Sequence, residues 1–489
     1  MKITFIYTDY SQFNQNNFNR GVAMLSSCLK KEGHTVGLIH ISKRIKKQEF
    51  LRLVKEEKPD LVAFSFVSLM LSQVKMFSLW LRELGIPAIH GGMHPTVAPE
   101  DTLAIEGVTV ICRGEGEGAI VDFCNALESG KSIKDIPNIW VKEGGKLYKN
   151  SCRNLIEDLD ALPYPDYALF RYERLEESIV HKILVTQASR GCLYKCTYCC
   201  NHVLSSLYPN SNRYLRHYSV DRLLNEVEWG LKEYPFLKEV RFYDDTLTQD
   251  KVWFGEFAVK YKQRIGIPYS SSERVENVDE NTAAQLKESG CAWLDLGIEN
   301  GDSLVREKYM NRRTSDQQII KAFSILQAHG IKTNSFNLLG MVGETPQSLL
   351  KTVKLNATVN PSIIYNSFFF PFKGTQAYRI VQEKNYPINP AVSTISEKPV
   401  VKLDTVTRAQ LIFFYKYLFF LIHLYRFLWD KLGKENKAIS LLDRIITSRY
   451  FPASFFNSIH FGKEDIIIFL RKYPLIYAFF RKIYRHEKK

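Results

Sequence analysis

Apolar runs alternate with helical stretches over the first 140 residues. Residues 2–7, 35–41, 61–66, 87–90 and 108–112 read as strands. Between them, residues 22–31, 50–57, 71–84 and 119–127 place apolar side chains at helical spacing. That alternation predicts a parallel sheet covered on both faces, a doubly wound α/β unit. A second series begins at a strand over 183–187. It continues through helices at 223–229, 253–261, 283–288, 319–327 and 349–357, with strands at 239–243, 293–298, 334–339 and 363–369. About six βα units give a partial or full barrel. Between the series lie a hairpin over 139–148, turned at Glu143-Gly144-Gly145-Lys146, and a Leu/Pro/acid-rich stretch over 154–172. The expected organisation is 1–140, a linker at 141–180, a barrel at 181–395 and a helical C-terminal region at 396–489.

Composition narrows the class. The chain has 489 residues, 24% charged and 45% hydrophobic, which suits a globular multidomain protein and excludes a disordered one. Four of nine cysteines cluster and five stand alone, so they do not form a disulfide framework; a reducing compartment is expected. Residues 2–7 are too short an apolar run for a signal-peptide core, and a cytoplasmic protein is expected. The net charge is +14, and residues 401–489 hold 17 Lys/Arg against 7 Asp/Glu. A basic tail suits a membrane surface, nucleic acid or a solvated face.

In open α/β sheets ligands sit beyond the carboxyl ends of the strands. Here those ends carry Ser65-Phe66-Val67-Ser68, then Gly91-Gly92-Met93-His94-Pro95-Thr96, then Arg113-Gly114-Glu115-Gly116-Glu117-Gly118. Paired glycines let a bulky ligand touch backbone, and small hydroxyls donate hydrogen bonds without bulk. One such loop is an ordinary turn; three at one sheet edge favour a ligand. A dinucleotide is rejected: the spacing is wrong, and two glutamates would repel pyrophosphate. In the second series Cys192, Cys196 and Cys199 stand at C-x3-C-x2-C directly after a strand. Three thiolates without a fourth ligand at zinc-finger spacing suit an iron–sulfur cluster with one open iron; a zinc site or structural thiols are the alternatives. Cys200 is read as a neighbour, because adjacent cysteines in a tight loop rarely point the same way.

The Gly-Gly-x-His-Pro-Thr and Arg-Gly-Glu-Gly-Glu loops resemble the cobalamin-binding domain in front of many radical S-adenosylmethionine (SAM) enzymes, and the cysteine loop closely resembles the radical SAM motif. The resemblance implies a Rossmann-like cobalamin domain, a partial (β/α)6 TIM-type barrel and a helical tail. It implies a [4Fe–4S] cluster on Cys192, Cys196 and Cys199, with SAM on the open iron. For SAM it points to Tyr198, Asp244, Asp245, Arg274, Glu299, Gly340 and Gly343. For cobalamin it points to Ser65, Ser68, Gly91, Gly92, His94, Thr96, Gly114, Glu115, Gly116 and Glu117. Each of these also has an ordinary reading as a turn, cap or ion pair. Glu299 is a candidate for ribose hydroxyls or an arginine partner. No Asp-x-His-x-x-Gly stands in the chain, so cobalamin would sit without a histidine lower ligand. Val342 and Lys373 replace family prolines, the mark of a divergent subgroup.

The activity implied is methyl transfer to an unactivated carbon of a small-molecule or lipid-like metabolite, with flavodoxin or ferredoxin as electron donor and no nucleic acid. The alternatives are a non-methylating radical reaction and a non-catalytic corrinoid or iron–sulfur sensor. Residues 411–432 and 465–484 are apolar, aromatic and basic. They are expected to cap the barrel; contact with the inner face of an anionic membrane is the alternative.

Overall fold

The computed structural model describes residues 1–9, 17–389, 395 and 398–458. The stretch 465–484 lies outside them.

Seven strands form the first sheet: β1 (Lys2–Thr8), β2 (Thr35–Ile41), β3 (Leu61–Ser65), β4 (Ala88–Gly91), β5 (Val110–Cys112), β6 (Ile139–Glu143) and β7 (Lys146–Lys149). Their order is β2-β1-β3-β4-β5-β6-β7. The first five run parallel and the β6–β7 hairpin joins antiparallel, so it extends this sheet beyond β5. Apolar residues on β1 and β3 are buried on both faces, as a helix-covered parallel sheet requires. Helices Arg20–Lys31 and Glu117–Glu128 pack together, as do Lys47–Glu57 and Leu71–Leu81. Phe50 stacks on Phe77 between the second pair, ring centroids 4.9 Å apart.

The second sheet is β8 (Ile183–Thr186), β11 (Glu239–Phe242), β12 (Tyr269–Glu273), β13 (Cys291–Glu299), β14 (Lys332–Leu339) and β15 (Ile363–Phe368). A short ribbon, β9 (Ser189–Arg190) with β10 (Arg216–His217), follows β8. All six strands are parallel, in the order β15-β14-β13-β12-β11-β8. β8 and β15 do not pair, so the barrel is partial. Tyr167 and Tyr172 cover the β8 edge: Tyr172 Oη donates to Ile183 O and accepts from Val185 N, both at 2.8 Å.

Helix Arg408–Leu432 is long and apolar enough to cross a membrane by length and composition. Here it lies along barrel helix Pro346–Val359, burying Leu411, Phe414, Leu418, Ile422 and Tyr425. Tyr425 Oη donates to Asp443 Oδ1 at 2.6 Å, tying helix Lys437–Thr447 to the same wall.

Candidate active site

Residues 191–200 leave the β9 strand as a loop, and several ties fix its course. Asp244, 3% exposed at the end of β11, accepts from Ala188 N at 2.9 Å and from Ser189 Oγ. Burial pushes its carboxyl up to about 6. These bonds let it hold the chain that enters the loop. Farther on, Thr197 N donates to Met310 O at 3.2 Å, and Thr197 O accepts from Ala377 N at 3.0 Å. Cys199 N closes a turn on Cys196 O at 3.2 Å.

The thiols sit in a donor-rich setting. Arg274 Nη1 donates to Cys196 Sγ at 3.0 Å, and its guanidinium lies 3.8 Å from the Tyr194 ring centroid. Asn201 Nδ2 donates to Cys199 Sγ at 3.6 Å and to Asp245 Oδ2 at 3.0 Å. Burial pushes the Cys192 thiol up to about 12 and that of Cys199 to about 11. Both stay protonated unless cationic iron stabilises the thiolates. Among the described residues no three His, Cys, Asp or Glu side chains converge on a single metal ion. Three thiols on one loop, with no fourth ligand at zinc-finger spacing, are the donor set that an iron–sulfur cluster with one open iron takes. Cys28, Cys112, Cys124, Cys152 and Cys291 are buried singly, as small apolar side chains.

Beside Cys199 lies a group that sequence reasoning only half found. Glu299, at the end of β13, has φ +63, a left-handed conformation for a non-glycine residue. Arg312 Nη1 reaches Glu299 Oε1 and Tyr198 Oη, each at 3.3 Å, and Arg312 Nη2 donates to Gly297 O at 2.8 Å. Burial raises the Glu299 pKa, and the Arg312 charge opposes that. Tyr198, Glu299 and Arg274 thus converge on the cysteine loop. Arg274 is engaged by Cys196 and by Glu276, rather than open to a cofactor carboxylate. Asp245 is exposed and keeps an oxygen beyond its Asn201 bond. Gly340 N is held by the buried Glu344, whose carboxyl burial lifts to about 8. At Gly343, φ +81, a Cβ would come 2.1 Å from the Tyr309 ring. Tyr309, not open space, therefore occupies that position.

A cleft of about 340 Å³ lies where the first sheet meets this loop. Ser65, Gly91, Gly92, Thr96, Gly114, Glu115, Gly116 and Glu117 line one side; Gln187, Arg190, Gly191, Tyr208, Tyr214 and Arg216 line the other. Gly92 has φ +97, and a Cβ there would meet Phe66 N at 2.6 Å, so only glycine fits this wall. Thr96 Oγ1 donates to Gly92 O at 2.7 Å and accepts from Gly114 N at 3.0 Å, joining two loops. Ser68 and His94 do not line the cleft. The His94 ring is 2% exposed, with Nδ1 2.8 Å from Ser68 Oγ and Nε2 3.2 Å from Asp101 Oδ2. With both nitrogens facing protein partners, His94 is no cobalt ligand. The glycine-walled edge fits a corrin held without a protein imidazole.

Glu115 and Glu117 line the cleft with their charges already balanced. Glu115 Oε1 accepts from Arg190 Nη1 at 3.2 Å and Arg216 Nη2 at 2.8 Å; Glu117 Oε1 accepts from Arg190 Nη2 at 2.6 Å. Tyr208 Oη accepts from Glu115 N at 2.8 Å. The loop after β5 is therefore bound to the residue just before Gly191-Cys192.

Comparison with known proteins agrees with this geometry. Residues 11–123 match the B12 binding domain, and residues 186–355 match the Radical SAM superfamily. The chain belongs to the radical SAM enzymes that carry an N-terminal cobalamin-binding domain. Its cofactors are accordingly a [4Fe–4S] cluster, SAM and cobalamin. It is 27% identical over 398 residues to the uncharacterized methyltransferase PH0819 of Pyrococcus horikoshii, covering 80% of this chain and 84% of that one. It is 22% identical over 435 residues to the anaerobic magnesium-protoporphyrin IX monomethyl ester cyclase of Rubrivivax gelatinosus, covering 84% and 75%. The cobalamin-dependent SAM radical enzyme OxsB, with aqua-cobalamin bound, shares the fold with TM-score 0.69 and 15% identity, covering 99% of this chain and 80% of that one. The methyltransferase TsrM of Kitasatospora setae does so with TM-score 0.62 and 14% identity, covering 78% and 76%.

Proposed function

We propose that this enzyme transfers a methyl group from SAM, through cobalamin, to an unactivated carbon of a small-molecule or lipid-like metabolite. The observation that carries the reading is the cleft: its glycine-walled side faces Gln187, Arg190 and Gly191, the residues that lead into Cys192. A methyl donor in that cleft stands beside the radical source. When bound, the cluster supplies the electron that cleaves SAM to a carbon radical, and the corrinoid supplies the methyl group.

The chain's own residues hold and orient. Cys192, Cys196 and Cys199 would carry the cluster, and Arg274 tempers the charge on Cys196. Tyr198, with the Glu299–Arg312 pair, walls the side where the nucleoside of SAM would lie; the open oxygen of Asp245 suits its ammonium. The resemblance to PH0819 supports methylation. An external one-electron donor of flavodoxin or ferredoxin type fits the same reading. In the C-terminal region Leu441, Ile445, Tyr450 and Phe455 are exposed, and the sequence of residues 401–489 is basic; both support peripheral contact with an anionic membrane.

The similarity to the cyclase favours one second reading, a radical reaction without methyl transfer. Anaerobic reconstitution with cobalamin and methyl-labelled SAM, followed by incubation with host metabolite extract, separates them. Deoxyadenosine together with labelled product is expected. Deoxyadenosine with an unlabelled product favours the second reading, and no deoxyadenosine overturns both.

A further inference from the structure

The inner wall of the barrel carries side chains that neither the cysteine loop nor the cleft uses. In β13, Leu294, Leu296 and Ile298 are fully buried toward the helices, so the alternate residues Trp293, Asp295 and Gly297 face the lumen. Register places Asn334 beside Asp295, Phe336 beside Gly297, and Tyr365 beside Phe336. On β11, Arg241 stands between the buried Val240 and Phe242. Small barrels ordinarily fill their interior with layers of Val, Ile and Leu. This lumen instead has a polar floor: Asp295 accepts from Arg241 Nη2, and from Asn334 Nδ2 at 2.7 Å. One layer higher, Phe336 stacks on Tyr365 with centroids 4.8 Å apart. Phe336 is 39% exposed and Tyr243 47% exposed. Both rings are therefore open to solvent on the inner face of the partial barrel. Above this layer come Glu299 and Arg312 beside Tyr198, and on the β8 side Gln187 opens to the cleft.

We propose that this inner face holds the substrate, and that the substrate is a flat conjugated ring system bearing a neutral carbonyl with an adjacent N–H or O–H, such as a lactam or amide. The inference rests on the radical SAM reading above and adds the substrate class. The exposed Phe336–Tyr365 pair offers ring faces for stacking. Arg241 Nη2 holds Asp295 and reaches Ser272 Oγ at 3.4 Å, while its Nε and Nη1 meet no partner among the described residues. Those N–H groups can donate to an oxygen. Asn334 is 6% exposed, and its Oδ1 is a buried acceptor without a partner. It can take the N–H or O–H. Asp295 already balances the Arg241 charge, so an added carboxylate would sit beside Asp295 uncompensated. A neutral carbonyl meets the open donors without that cost.

Calorimetric titration of the anaerobically reconstituted full chain with 2-quinolone, a flat lactam, and quinoline-2-carboxylate, its anionic counterpart, tests the class without turnover. The lactam is expected to bind at least about tenfold more tightly, the worth of one good hydrogen bond. Phe336→Ala and Arg241→Lys are each expected to weaken lactam binding by about tenfold. Failure of the wild type to bind the lactam, equal binding of both probes, or no change in either variant overturns the proposal. Because no methyl transfer is measured, such a failure is distinct from failure of the methylation reading. A labelled product from the extract assay that lacks a conjugated chromophore would also overturn it.

Discussion

Arg312 shows how much one side chain can settle at this site. Its guanidinium is 4% exposed and joins Tyr198, Glu299 and the Gly297 carbonyl. Arg312→Leu would leave Glu299 without its cation inside the fold, so that it must be buried unpaired or take up a proton. The expected loss of stability is about 3 to 5 kcal/mol, read from the shift of the urea transition. Adding Glu299→Gln should recover part of it; a double variant as unstable as the single one would show that the pair is not the cause. In the sequence Glu299 was visible at a strand end with an arginine as one candidate partner. Arg312 itself was not visible, because it follows a helix in no repeating pattern, and only folding brings it to Glu299. Asp244 is the opposite case. Two adjacent acids at a strand end resemble a segment that contacts the cofactor or orders the site, and only the fold shows that one of them braces Ala188 and Ser189.

At the scale of elements, the loop after β5 and the β9–β10 ribbon act as one piece. Glu115 and Glu117 face Arg190 and Arg216, and all four side chains are largely buried. Arg190→Gln removes both ion pairs of that arginine. Hydrogen exchange in the peptide covering residues 113–118 is then expected to speed up by about tenfold, the opening cost of one charged hydrogen bond. Unchanged protection would mean that Tyr208 and Thr96 suffice to hold the loop. Most strands were legible because buried parallel strands are short apolar runs: Val-Ala-Phe in β3 and Leu-Asp-Leu-Gly-Ile in β13 announce themselves. β12, Tyr-Ser-Ser-Ser-Glu, was missed as a strand because its serines show no apolar alternation. The two-residue ribbon strands are too short to leave any period, and helix Ser303–Met310 has only Val305, Arg306 and Met310 buried.

At the scale of the whole molecule, positive charge accumulates toward the C-terminus of the sequence. Residues 401–489 hold a surplus of 10 positive charges out of the chain's +14, and Tyr450 and Phe455 are 89% and 64% exposed there. Flotation with vesicles containing anionic lipid should carry the protein upward at low salt and lose it at high salt, where the Debye length shrinks to about 3 Å. Recovery of all the protein away from the vesicles at low salt would defeat the membrane contact. An apolar helix reads the same against a barrel or on a membrane; of the two the barrel was the expectation for residues 411–432, and helix Arg408–Leu432 lies along barrel helix Pro346–Val359. The unpaired edges of β8 and β15 carry a further consequence. A closed barrel has its bore dictated by strand number and stagger. An open one obeys no such rule, and its bore depends on whatever flanks the gap. Here that is the Tyr167–Tyr172 edge cover and, on β15, Asn366, whose side chain donates to Tyr415 O of the C-terminal helix at 2.9 Å. Relatives could therefore come to accept wider or narrower molecules by exchanging those flanking segments, while the strands that carry the cysteine loop stay as they are.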